Sequence, residues 1–72
     1  MIKDNILSTI GLNIKLQRIK NNFNQDKLAE LSGISQKYLS SIECAKVNPS
    51  ITVIVKICRV LKIDLNEIYK IL

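Results

Sequence analysis

Histidine and tryptophan are absent from these 72 residues, and Pro and Phe occur once each, Gly, Cys and Tyr twice. Each scarcity removes a class of function. Without His the most common general acid–base catalyst is missing, and with no CxxC pair there is no familiar zinc ligand set. Gly11 and Gly33 alone cannot form a phosphate-cradling glycine-rich loop. Cys44 and Cys58 are too few for a secreted disulfide scaffold. No apolar run approaches the ~18 residues of a membrane span. Asp4 stands where a signal peptide needs an apolar stretch, so the expectation is a cytoplasmic protein with no membrane partner. The same absences lead us to expect no enzyme, no metal, no cofactor and no small-molecule ligand.

Acids are scarce as well: 6 Asp+Glu face 11 Lys+Arg, for a formal net charge of +5 and a pI near 9.5. On so small a body this surplus points toward a polyanion, although a mildly basic surface also serves solubility. What the chain does have is aliphatic bulk, 13 Ile and 9 Leu. That is enough for one compact core over residues 1–72 and too little for a second domain. A core of this size leaves a stability margin of only about 3–5 kcal/mol.

Apolar spacing predicts helices throughout. Over Ile6–Asn21, residues Ile6, Leu7, Ile10 and Ile14 form one stripe, continued by Arg18. Leu12, Leu16 and Ile19 form a second on the opposite face. A helix apolar on two sides is either deeply buried or touches two things. Asn24 is a good N-cap for a short helix whose buried side is expected from Leu28, Ala29 and Leu31. Gly33 ends it, and Ser35 caps the next helix, Gln36–Glu43. A three-residue connection containing Gly makes the two helices cross steeply, as in a helix-turn-helix. After a loop around Pro49, Ile51–Ile57 is almost wholly β-branched and reads locally as a strand. Yet Ile51, Ile54, Cys58 and Leu61 keep helical spacing, and Ser50 is placed to cap. Asp64 followed by Glu67 looks like a capping box for a last helix over about 65–70. The sum is an all-α, five-helix domain.

The series Gln25-x-x-Leu28-Ala29-x-x-x-Gly33-Ile34-Ser35-x-x-Tyr38-Leu39-Ser40-x-Ile42-Glu43 resembles the Cro/cI-type helix-turn-helix domain, the lambda-repressor-like DNA-binding family of phage repressors and small bacterial regulators. Ile10-Gly11-x-x-Ile14-Lys15-x-x-Arg18 resembles its first helix, and Asn48-Pro49-Ser50-Ile51 with Asp64-Leu65-x-Glu67-Ile68 its fourth and fifth. The resemblance implies double-stranded DNA as partner, with the third helix in the major groove and the helix-turn-helix spanning about 25–43. It makes Gln36, Lys37, Ser40 and Ser41 candidates for base contact, since Gln can pair bidentately with adenine and Lys favours guanine acceptors. Asn24, Gln25, Tyr38 and Lys46 become candidates for phosphate contact. For Tyr38, packing against the helix flank is the equal alternative, and for the others a solvated polar face. Arg18 and Glu43 match a family ion pair joining the first helix to the end of the third.

Ala45 and Lys62 depart from the family, which commonly has Gly at both positions. If the chain takes positive φ at Ala45, the cost is about 1 kcal/mol.

One recognition helix touches few base pairs, so the resemblance implies a homodimer on a palindromic operator with half-sites ~34 Å apart. The expected dimer surface is Val53, Val60, Ile63, Leu65, Tyr69 and Leu72, with Ile71. The implied function is a sequence-specific transcriptional regulator: a phage-type repressor, a restriction–modification controller or an antitoxin. A protein-interaction module that kept this fold is the alternative from another class.

Overall fold

The computed structural model describes residues 5–69. It contains five helices: α1 (Ile6–Lys20), α2 (Gln25–Ser32), α3 (Gln36–Glu43), α4 (Ile51–Leu61) and α5 (Asn66–Tyr69). All regular structure among the described residues is helical. The core joins Ile10 and Ile14 of α1, Leu28 of α2, Leu39 and Ile42 of α3, Ile54, Ile57 and Leu61 of α4, and Ile68 of α5. No helix among the described residues is long and apolar enough to cross a membrane.

Three of the helices are started by side chains. Asn24 Oδ1 accepts from the Lys27 N–H at 2.7 Å, Ser35 Oγ from Tyr38 at 3.0 Å and Ser50 Oγ from Val53 at 3.2 Å. Each bond satisfies one of the orphan donors of a helix start, worth about 1 kcal/mol. The Ser50 cap and the inward Ile54, Ile57, Cys58 and Leu61 carry the β-branched segment into a helix. Tertiary burial here outweighs local strand preference.

Four of the described residues have positive φ: Gly33 at 71°, Asn22 and Ala45 at 61° and Lys62 at 58°. Gly33 lets α2 stop and α3 begin at once. Its N–H bonds Glu30 O, and Ile34 N–H reaches back to Ala29 O at 3.0 Å. Ala45 and Lys62 adopt the same left-handed conformation without glycine's freedom, so each carries roughly 1 kcal/mol of backbone strain.

Gly11 has a different role. A Cβ built on it would lie 2.5 Å from Ile42 O and 2.8 Å from Glu43 O. Its bare Cα therefore lets α1 lie directly against the carbonyl end of α3. Two residues on, the buried Asn13 donates Nδ2–H to Ile68 O at 2.7 Å, tying α1 to α5.

Several expectations are corrected. Leu31 is exposed and Ser32 is buried in its place. The inward arc of α2 is centred between Leu28, Ala29 and Ser32, and Leu31 falls about 100° away from that centre on the helix circle. Ile6, expected on the inner stripe, is exposed; the second stripe of Leu12, Leu16 and Ile19, for which the sequence left burial open, is also exposed. Helix α1 ends at Lys20, with Asn21 as C-cap. The shorter α5 starts at Asn66 after a backbone turn in which Glu67 N–H bonds Asp64 O at 3.0 Å. Lys70, where that helix was expected to end, lies outside the described residues.

Candidate nucleic-acid interface

The Ser35 cap sets the first turn of α3, and from it Gln36 and Lys37 project into solvent. Leu39 and Ile42 are buried on the opposite side and fix which way this face looks. Gln36 is not loose. Its Nε2 donates to Gln25 Oε1 at 2.6 Å, and Gln25 Nε2 donates to Glu43 Oε1 at 3.1 Å. Glu43 in turn receives Arg18 Nε–H on Oε2 at 2.8 Å and Arg18 Nη2–H on Oε1 at 3.1 Å. The third arm of the guanidinium, Nη1, donates to Phe23 O at 3.0 Å. A continuous chain of hydrogen bonds thus runs from α1 through the end of α3 to the start of α2, and back to the start of α3.

The Arg18–Glu43 part of that chain is shielded, the two side chains being 12% and 3% exposed. Bidentate geometry with both charges out of water makes this a pair whose disruption is costly. The carbonyl of Phe23 takes one N–H of Nη1, so every guanidinium nitrogen is engaged within the protein, and two of the five N–H donors, one on each Nη, are not used by these bonds.

Other expected contacts fall in different places. Lys46 is exposed in the turn after α3, and its N–H bonds Ser41 O at 2.9 Å. Asn24 uses its carbonyl oxygen as the α2 cap, which leaves the amide nitrogen as its donor to a ligand. Gln25 is engaged at both ends of its amide and acts first as a brace, a role that spacing alone did not reveal. Tyr38 is half-buried and packs against the core cluster. Ser40 and Ser41 were expected on the exposed side and are half-buried, their short side chains staying close to the helix. Cys44 is exposed as the C-cap of α3, and Cys58 is buried.

Of the expected dimer surface, Val53, Val60 and Ile63 pack partly against the core, while Leu65 and Tyr69 are exposed. Leu72 and Ile71 lie outside the described residues.

Two capped helices joined through a left-handed glycine, with an amide and an ammonium presented by the second, form a helix-turn-helix. The matching family model is helix-turn-helix (HTH_3), over residues 14–68. The chain belongs to this family. It is a Cro/cI-type family of non-enzymatic, DNA-binding transcriptional regulators.

Among relatives, the HTH-type transcriptional regulator SlrR of Bacillus subtilis is 36% identical over 61 residues, 83% of this chain. The chain spans 40% of that relative's length. Among solved structures, the biofilm master regulator SinR in complex with DNA is 35% identical, with a TM-score of 0.79, covering 85% of this chain and 98% of that one. SinR is likewise from B. subtilis. The restriction–modification controller protein C.AhdI from Aeromonas hydrophila is 28% identical, with a TM-score of 0.85, covering 88% of this chain and 96% of that one.

Proposed function

We propose that this chain is a sequence-specific, double-stranded DNA-binding transcriptional regulator that reads the major groove with the first turn of α3. The observation that carries the reading is the braced amide of Gln36. With one N–H committed to Gln25 Oε1, the group is held in one orientation. Its second N–H and its carbonyl remain as a donor–acceptor pair, the pattern that matches adenine N7 and N6. Lys37 beside it supplies a donor suited to guanine O6 and N7. Lys46, the Asn24 amide nitrogen and the N-terminus of α2 hold the phosphates on either side.

An eight-residue helix spans only about 12 Å, so useful specificity calls for two copies on a two-fold operator, half-sites ~34 Å apart. Leu65 and Tyr69 are the exposed apolar residues on the α5 side that favour pairing there. The DNA complex of the related SinR supports the same partner class for this chain. A controller, a repressor or an antitoxin role is each compatible with such a dimer.

Selection of sites from random DNA, followed by anisotropy titrations across a salt series, tests the reading. The logarithm of affinity should fall linearly with that of salt, at roughly 0.9 per phosphate neutralised. Lys37→Ala should relax preference among sequences, and Lys46→Ala should weaken all sequences alike. A flat salt response, or failure to enrich any sequence, refutes the proposal.

A further inference from the structure

The outer face of α1 is unused by the fold and by the proposed DNA contact. Leu12, Leu16 and Ile19 recur at helical spacing along it and are 44%, 46% and 53% exposed. Gly11 points α1 toward the end of α3 and Asn13 points it toward α5. The stripe therefore looks away from α3, with Leu16 bordering the groove toward α5, and α3 can lie on DNA while it remains open.

Single exposed aliphatics are ordinary, but a contiguous row of three is the kind of patch that proteins keep for contacts. Charge narrows the occupant. Helix α1 carries Lys15, Arg18 and Lys20 and no acid. Arg18 is neutralised by Glu43, whereas Lys15 and Lys20 flank the stripe, exposed and outside any ion pair among the described residues. A second copy of α1 would bring cations against cations. Asp64 and Glu67 line the far side of the groove that Leu16 and Lys20 share with α5.

We propose that the Leu12–Leu16–Ile19 stripe is a docking site for an amphipathic helix of another protein, with aliphatic residues at matching spacing and carboxylates over Lys15 and Lys20. The apolar row supplies attraction and the lysines select the partner's charge. The site is small, so the complex is transient, and it is compatible with DNA on α3.

The test uses the full chain and two stapled helical peptides, one with leucines at helical spacing flanked by glutamates, its twin with lysines instead. Chemical-shift mapping by NMR should confine the acidic peptide's effects to residues around Leu12–Lys20, with affinity about tenfold or more above the twin's at low salt. Leu16→Ser should abolish those shifts while leaving DNA affinity unchanged. Equal binding of the two peptides, or shifts elsewhere, overturns the proposal. Two results on the free protein would also overturn it. Loss of dimer mass in Leu16→Ser makes the occupant a second copy. A fall in melting temperature of many degrees in Leu16→Ser means that the protein's own chain already covers the stripe.

Discussion

Replacing Gly11 by alanine sets two effects of opposite sign against each other. Helix propensity favours Ala over Gly inside α1 by about 1 kcal/mol. Packing opposes it, because the new methyl would sit 2.5 Å from Ile42 O and 3.0 Å from the Glu43 carbonyl carbon. Ordinary contact begins near 3.4 Å, so α1 and the end of α3 must part by roughly 1 Å. These are backbone atoms inside a packed bundle, and no rotamer change moves them. Overpacking of this kind costs about 1–3 kcal/mol, with the upper half expected for rigid backbone. The net is a destabilisation of about 1–2 kcal/mol, or a melting temperature lower by roughly 5–15 °C for a domain this small. Thermal unfolding followed by far-UV circular dichroism measures it, with exposed Lys15→Ala as control on the same helix. DNA affinity at a temperature where Gly11→Ala is still folded should also fall, because the displaced atoms belong to Ile42 and Glu43 at the end of α3. A melting temperature equal to or above that of the parent protein would show that propensity wins and that the close α1–α3 approach is not tight.

Glu43→Ala strips the counter-charge from a largely buried Arg18 and removes the acceptor holding Gln25; a loss of about 3 kcal/mol is expected by denaturant unfolding, enough to leave the domain barely folded. Ala45→Gly and Lys62→Gly relieve left-handed backbone strain, and each should raise stability by about 1 kcal/mol in the same assay. Ser32→Ala removes a buried hydroxyl without a hydrogen-bond partner and should likewise stabilise by about 1 kcal/mol, so a loss there would reveal a bond to that oxygen. Burial pushes the Cys58 thiol above its ordinary value of 9.0. The unfolded chain releases that proton first, so this contribution to stability is intact below the ordinary value and is lost as pH rises from there through the raised value of the folded state. At neutral pH, iodoacetamide should alkylate Cys44 quickly and Cys58 only on unfolding.

The parts of this fold that could be read beforehand are those written in short-range chemistry. Asn24, Ser35 and Ser50 announce helix starts because an N-cap bonds within three residues. Gly33 announces a stop because left-handed backbone is a local property. The helical outcome for Ile51–Leu61 was legible from its spacing, but its β-branched residues argued the other way until burial of Ile54, Ile57 and Leu61 decided it. What escaped depends on where separate segments meet. Nothing around Gly11 says that carbonyls more than thirty positions away will rest on it. Nothing near Asn13 names Ile68 as its partner. Leu31 and Ser32 exchange places because one position of helical phase decides burial, and α2 is too short for spacing alone to set it. The dual character of Gln25 was hidden for the same reason. Its polar side chain suits a phosphate, and only the positions of Glu43 and Gln36 reveal it as a brace.

The tethered chain of amides also bears on how such a reader can acquire a new target. Gln36 shares a hydrogen bond with Gln25, which leans on Glu43, so a change at position 36 is felt at position 25, and the two should be non-additive in a double-mutant cycle. Lys37 stands outside that chain. Retargeting therefore begins most easily at Lys37, where a substitution alters what is recognised and leaves the scaffold alone. A switch at Gln36 has to travel with Gln25, as a paired exchange.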